Sequence, residues 1–110
     1  MSLVSDSKTS GDPTYYDAGF LNVVADHITF LKKPGNSTQF TLNDEAIFMY
    51  RRDILRLFSA MGIPTQLNLV CMVLNGIKSP TQDISGFSFF YVPDTSVIAQ
   101  LANSYKSTIG

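Results

Sequence analysis

The sequence predicts an α+β domain that is mainly helical, with about four helices and a small two-stranded antiparallel sheet. Three observations predict it. Apolar residues recur at helical spacing in four stretches, capping residues bound those stretches, and two short segments between them have strand character. The expected order is helix, strand, helix, helix, strand, helix. With 110 residues, 45% of them hydrophobic, the chain has the size and apolar content of one domain with its own core.

The first helix is predicted from Asp12 to Lys33. Asp12 is a suitable N-cap, and Pro13 fits the first helical position, where a missing N–H removes no intrahelical bond. The Pro34-Gly35 pair is expected to end the helix. Its apolar stripe is expected to consist of Phe20, Leu21, Val24, Ile28 and Leu31.

The next stretch predicts a short strand followed by a second helix. Residues 37–42 alternate weakly between polar and apolar side chains, which is typical of a strand. Asn43 is a suitable N-cap, and Asp44 and Glu45 place negative charge in the first turn. The helix is expected to end at Gly62. Its core stripe is expected to be Ile47, Tyr50, Ile54, Leu57, Phe58 and Met61, widened by Phe48 and Leu55.

Residues 65–75 predict a third helix, with Gly76 as its left-handed cap. Its apolar side would contain Leu67, Val70, Cys71 and Leu74. Because the run is short and rich in Val and Leu, a strand is the alternative interpretation. From the three helices together we expect a core that includes Phe20, Val24, Ile28, Ile54, Leu57, Phe58, Leu67, Val70 and Leu74.

The spacing around Gly62 invites comparison with the DNA-binding helix-turn-helix. That motif places a small residue four positions before the turn glycine and an apolar residue six positions after it, where this chain has Phe58 and Asn68. The third helix also has no Lys or Arg to contact phosphates or guanine edges. The second and third predicted helices are therefore interpreted as a helical hairpin that packs in the core, and no family resemblance follows.

The strongest strand signal is "GFSFFYV", residues 86–92, because it is aromatic and flanked by Gly86 and Pro93. Asp94 then predicts the N-cap of a last helix with Val97, Ile98, Leu101, Ala102 and Tyr105 on one face. Within the strand, Phe90 alternates with Phe87, Phe89 and Tyr91, so it is expected on the opposite and less covered face.

Low charge and exposed apolar residues predict a protein interface. Only 15% of the residues are charged, against about 25% in a typical domain. Met49 and Met72 fall opposite the core stripes of their helices, and Phe90 needs cover from elsewhere. We therefore expect a small non-catalytic interaction or assembly module that associates with itself, as a homodimer or higher oligomer, or with another protein.

A basic cluster gives the alternative function. Five of the eight cations are Lys32, Lys33, Arg51, Arg52 and Arg56, and they could contact an anionic partner such as nucleic acid. The net charge of −1 argues against a dedicated nucleic-acid-binding protein. The nucleic-acid interpretation is therefore the alternative and is not favoured.

A small enzyme using His27 is the third alternative. The neighbouring Asp26 cannot orient this imidazole, since adjacent helical residues point about 100° apart. Cys71 is expected to be a small buried hydrophobic residue. We expect no catalytic site, no metal site and no cofactor, because the chain has no ligand spacing, phosphate loop or nucleophile motif.

The remaining expectations concern location and domain limits. Residues 1–11 are small, polar and aperiodic, so we expect a disordered tail before a single globular domain over 12–110. The tail lacks the features of a secretory signal. Residues 57–77 are uncharged, but their longest apolar run, 69–74, is far short of the ~20 residues that a span needs. We expect a soluble, cytoplasmic protein with no membrane partner.

Overall fold

The computed structural model describes residues 13–109, which form a mainly helical α+β fold with a two-stranded antiparallel sheet. The described residues contain six α-helices, α1 (Ala18–Asp26), α2 (Ile28–Leu31), α3 (Asp44–Tyr50), α4 (Ile54–Ala60), α5 (Asn68–Leu74) and α6 (Thr95–Ile109). The strands are β1 (Ser37–Thr41) and β2 (Phe89–Pro93), and short 3-10 helices span Pro13–Tyr16 and Thr65–Leu67. The predicted fold class is confirmed. The predicted tail and the predicted cap Asp12 lie outside the described residues.

The first predicted helix is divided by two local features. The N-cap of α1 is Asp17, whose carboxylate accepts the backbone N–H of Phe20 at 3.3 Å. Pro13 instead begins the 3-10 helix. At His27 the backbone leaves the helical region (φ −108°, ψ 18°), which ends α1 and begins α2.

The second predicted helix is divided at residues 51–53. Asp53 adopts a non-helical conformation (φ −135°, ψ 67°). The loop after α5 provides hydrogen bonds at this break: the Ile54 N–H donates to the Pro80 carbonyl at 3.2 Å, and the Ile84 N–H donates to the Arg51 carbonyl at 3.0 Å. These bonds replace intrahelical ones, so a distant segment of the chain stabilises the division between α3 and α4.

Residues 68–74 are helical, so the helix interpretation is confirmed over the strand alternative. Gly76 has φ +71°, as expected for a left-handed cap, and the Ile77 N–H donates to the Met72 carbonyl at 2.8 Å. The main contacts of α5 are with α1, β2 and the 3-10 helix at Pro13–Tyr16 rather than with α4. It is therefore the central helix of the fold and not one arm of an isolated hairpin.

The core surrounds α5. Val70, Cys71 and Leu74 have no exposed surface, and Phe20 from α1 and Phe58 from α4 are equally buried. The predicted core is confirmed except for Ile28, which is half-buried at its edge. The other predicted core residues that are buried are Val24, Ile54, Leu57 and Leu67.

The sheet pairs β1 and β2 with Phe40 opposite Phe90 and Gln39 opposite Tyr91. Beyond the strand ends, the Leu42 N–H donates to the Ser88 carbonyl and the Asp94 N–H donates to the Asn36 carbonyl, both at 2.9 Å. In an antiparallel ladder, hydrogen-bonded pairs occur at every second residue. The backbone groups of residues 38 and 40 therefore face β2, whereas those of 39 and 41 face away from it.

Replacing Leu74 with Ala should lower the free energy of unfolding by about 2–5 kcal/mol, because the side chain is fully buried and the substitution leaves a cavity. Urea denaturation at low protein concentration measures the change. Phe48→Ala is the control: this side chain is 86% exposed, so its loss should change stability by less than about 0.5 kcal/mol. Equal losses in the two variants would contradict the described core.

Candidate protein interface

The chain between α2 and α4 contributes little to the core. From Lys32 to Asp53 the only buried residue is Leu42, although the stretch includes β1 and α3. Helix α3 has no buried residue at all. We call residues 32–53 the exposed segment. A short helix is stabilised mainly by the packing of its apolar face, and α3 has only half-buried residues for that packing.

Three large apolar side chains of the exposed segment face solvent. Phe48 is 86% exposed, Met49 56% and Phe40 43%. The predicted exposure of Met49 is confirmed. The prediction that Phe48 widens the core stripe is wrong, because α3 ends at Tyr50 and only Ala46, Ile47 and Tyr50 of this helix are half-buried. An exposed aromatic residue of this kind is typical of an interface anchor.

Two residues predicted at the interface are instead buried. Met72 is only 5% exposed, because α5 is also covered on the side opposite its predicted core stripe. Phe90 has no exposed surface, since its ring packs 5.8 Å from that of Phe58 and 5.2 Å from that of Phe87. Within β2 the rings of Phe89 and Tyr91 share the face opposite Phe90, as predicted, but Phe87 precedes the strand and packs against Phe90. The face with Phe90 is the one that the helices cover. The predictions that Met72 and Phe90 are exposed are therefore wrong.

The outer edge of β2 is closed by a side chain. The Asn75 carbonyl oxygen accepts the Tyr91 N–H at 2.6 Å, and the Asn75 amide nitrogen donates to the Tyr91 carbonyl at 2.9 Å and to the Cys71 carbonyl at 2.8 Å. The next outward-facing residue, Pro93, has no N–H. Asn75 thus takes the place of a neighbouring strand at Tyr91, and among the outward-facing residues of β2 only Phe89 keeps both backbone groups without a partner in residues 13–109.

The outer edge of β1 is open. The backbone N–H and C=O groups of Gln39 and Thr41 face away from β2, and residues 13–109 provide no partner for them. The Ser37 N–H is already bound to the Lys33 carbonyl at 3.3 Å. Strand β1 also lacks the Lys, Pro or bulge that commonly protects an exposed edge. This edge can accept another extended strand.

The basic cluster is partly neutralised by carboxylates. Arg51 and Arg52 both contact Asp83, at 3.1 and 3.4 Å, and Arg56 contacts Asp53 at 3.4 Å. Asp83 was not identified from the sequence, although an Asp in a polar loop two residues before a Ser is a common turn signal. Three of the five predicted cations therefore have an acidic neighbour.

The two predicted lysines lie elsewhere, before the sheet. The ammonium group of Lys32 lies 4.9 Å from the centre of the Tyr91 ring, on which it makes a cation–π contact. Lys33 follows α2 and is exposed.

The residues considered for catalysis have no catalytic arrangement. His27 is exposed, and its Nδ1 donates to the Val23 carbonyl at 2.8 Å. Cys71 is buried as predicted, and desolvation raises the pKa of its thiol to about 12. Within the described part of the chain, no group of three or more His, Cys, Asp or Glu side chains could hold a metal ion. These contacts are structural.

Two shallow grooves lie beside the sheet, with volumes of about 350 and 270 Å³. Their sizes are near the lower limit of small-molecule sites, which is roughly 300 Å³. Each groove is lined by one charged residue, which is Asp94 in the first groove and Lys32 in the second. The Asp94 carboxylate already accepts the Ser96 N–H and hydroxyl at 2.8 and 2.6 Å.

Comparisons with protein-family models, curated proteins and solved structures find no match to this chain. None of the helices in residues 13–109 is long and apolar enough to span a membrane. The function is therefore inferred from the geometry of the exposed segment.

Replacing Asp83 with Asn should make stability less sensitive to acid. The Ser85 backbone N–H and the Arg51 guanidinium lower the pKa of the Asp83 carboxyl below its usual value. Because the folded-state pKa is below the unfolded one, the stabilisation is present at neutral pH, begins to be lost as pH falls through the usual carboxyl range, and is fully lost only below the lowered folded-state pKa. Urea unfolding at about pH 7 and about pH 3 should show a smaller difference for Asp83→Asn than for the wild type. Equal differences in the wild type and in Asp83→Asn would contradict the described contacts of Asp83.

The Cys71 thiol should resist modification in the folded chain. Its raised pKa and burial leave almost no accessible thiolate at neutral pH. A chromogenic disulfide reagent should react slowly with the native protein and at the rate of a free thiol in urea. Fast reaction without urea would contradict the described burial of α5.

Proposed function

We propose that the protein is a small non-catalytic interaction module that associates with a second copy of itself through the exposed segment, residues 32–53. The observation that supports this most directly is that the segment has regular secondary structure but almost no buried side chains. It contains a strand and a helix but only one buried residue, and it exposes Phe40, Phe48 and Met49. Contact with another chain would cover these side chains and remove apolar surface from water.

Composition supports the same proposal. Only 15% of the residues are charged, so the surface has fewer charges than usual to keep copies apart. A closed two-fold dimer is the commonest result of such self-association. The module would then act in structural or regulatory assembly. We place it in the cytoplasm, which is consistent with a single buried cysteine and no internal disulfide.

The alternatives have less support. A nucleic-acid-associated function would use Lys32, Lys33, Arg51, Arg52 and Arg56, but Asp83 and Asp53 reduce the positive charge around the three arginines. An enzymatic function would use His27, whose described hydrogen bond is to a backbone carbonyl and not to an orienting carboxylate. Neither alternative accounts for the uncovered apolar side chains of the exposed segment.

The triple variant Phe40→Ser, Phe48→Ser, Met49→Ser should be monomeric, whereas the wild type should have at least twice the mass of one chain at high micromolar concentration. The substitutions remove the apolar surface of the exposed segment but no buried side chain, so the monomer should keep its helical circular dichroism. Light scattering coupled to size-exclusion chromatography measures the mass.

The matched control replaces exposed apolar side chains outside the exposed segment. Phe30→Ser with Leu55→Ser removes side chains that are 45% and 40% exposed, comparable to Phe40. This variant should keep the wild-type mass. The proposal is wrong if the wild type is a monomer at high micromolar concentration, or if the control variant dissociates and the triple variant does not.

A further inference from the structure

We infer that two copies of the chain pair through the open edges of their β1 strands, antiparallel and about a two-fold axis at Phe40, so that two sheets of two strands become one sheet of four. This inference rests on the proposed function and specifies the contact. It follows from hydrogen bonding, charge and side-chain placement at the edge of β1.

The first argument is that the two edges of the sheet differ in the backbone groups that they leave unpaired. The Asn75 side chain binds both backbone groups of Tyr91 on the outer edge of β2, and Pro93 has no N–H to donate there. On the outer edge of β1, the N–H and C=O groups of Gln39 and Thr41 have no partner among the described residues. An incoming strand therefore finds unpaired backbone groups at β1, as in recognition by strand addition.

The second argument sets the register. Pairing Gln39 of each copy with Thr41 of the other uses all the unpaired backbone groups of these residues, in four N–H···O=C bonds. A register centred on Gln39 would instead pair Thr41 with Ser37, whose N–H is already bound to the Lys33 carbonyl. The register centred on Phe40 is therefore the one that the free backbone groups favour.

The third argument concerns charge and direction. Lys33 lies at the start of β1, where its carbonyl oxygen accepts the N–H groups of Asn36 and Ser37 at 3.0 and 3.3 Å. Asp44 and Glu45 lie beyond the other end of β1, in the first turn of α3. Antiparallel pairing brings the start of one strand beside the end of the other, so the lysine of each copy approaches the acidic pair of the second copy. Parallel pairing would bring like charges together.

The fourth argument is the cover that the pairing gives Phe40. At the two-fold axis, Phe40 faces its own copy in a non-hydrogen-bonded pair, in which side chains approach most closely. Phe40 already shares a face of the sheet with Phe90, to which it is directly opposite. The four-stranded sheet thus has a row of aromatic residues in the order Phe90, Phe40, Phe40, Phe90.

The assembly is expected to stop at two chains. After pairing, both outer edges of the new sheet are β2 edges, where the Asn75 side chain binds both backbone groups of Tyr91 and Pro93 has no N–H. Of the outward-facing residues of β2 only Phe89 keeps both backbone groups without a partner among the described residues, so a further strand finds fewer hydrogen bonds there than at β1. A stable interface buries about 1,000 Å² or more, so α3, with Phe48 and Met49, must also contribute to the contact.

Cysteine cross-linking tests the register. Across a non-hydrogen-bonded pair the two Cα atoms lie about 4.5 Å apart, within the range for a disulfide. Phe40→Cys should therefore form a covalent dimer under mild oxidation on a non-reducing gel. Thr38→Cys is the matched control on the same face of β1, since its two copies would lie about 13 Å apart. Cys71 is buried, so it gives a low background.

A proline substitution tests the hydrogen bonds. Thr41→Pro removes an outward N–H without removing a bond to β2, so each chain should fold but the dimer dissociation constant should rise about thirtyfold or more, because two intermolecular bonds are lost. Thr41→Val keeps the N–H and a β-branched side chain, and it should keep the wild-type mass. Analytical ultracentrifugation measures both, and circular dichroism confirms folding.

The outcomes separate this inference from the proposed function. Cross-linking through position 40 and not 38, with loss of the dimer in Thr41→Pro only, supports the strand pairing. If the wild type is a dimer but Thr41→Pro is an equally stable dimer, or Thr38→Cys cross-links as well as Phe40→Cys, the strand pairing is wrong. Association through the exposed segment is then still supported. A wild type that is monomeric at high micromolar concentration overturns the proposed function and this inference with it.

Discussion

The fold depends on the burial of α5, a short helix with an uncharged sequence. Val70, Cys71, Met72 and Leu74 are all buried, and the helix packs against α1, β2 and the 3-10 helix at Pro13–Tyr16. A helix covered on most sides has no place for a charged side chain, because an unpaired buried charge costs far more than its helix propensity contributes. The absence of charge from residues 68–74, which lie in a longer uncharged run that could suggest a membrane segment, is therefore the requirement of a central helix.

Asn75 shows how one polar residue at the end of α5 organises the sheet. Its side chain binds the last turn of α5 through the Cys71 carbonyl and the edge of β2 through Tyr91. These bonds connect the central helix to the strand that covers it. They also make the two edges of the sheet chemically different, because the β2 edge is bound by a residue at the end of a helix and the β1 edge is not.

The local features of the sequence were sufficient to predict the fold class, the two strands and the helical state of residues 68–74. They were not sufficient to predict where the long helices divide. The division near Asp53 depends on hydrogen bonds from the Ile54 N–H to the Pro80 carbonyl and from the Ile84 N–H to the Arg51 carbonyl, partners some thirty residues distant in the chain. Burial could not be predicted from local features for the same reason. Periodicity placed Met72 and Phe90 on exposed faces, but elements far away in sequence cover those faces. Of the predicted interface residues only Met49 is exposed, and the open edge of β1 could not be recognised before its pairing with β2 was known.

The complete separation of charge from the core has a consequence for how the molecule responds to its surroundings. The buried residues among 13–109 include no polar or charged side chain, whereas Lys33, Asp44 and Glu45 lie at the ends of the strand edge. Ionic strength screens exposed charges over about 10 Å at 0.1 M salt and has little effect on apolar contacts. Temperature, in contrast, acts on the folded state through the heat capacity of apolar burial. Salt thus acts mainly on the charges at the ends of the strand edge, including those in the proposed pairing, and temperature mainly on the integrity of each chain.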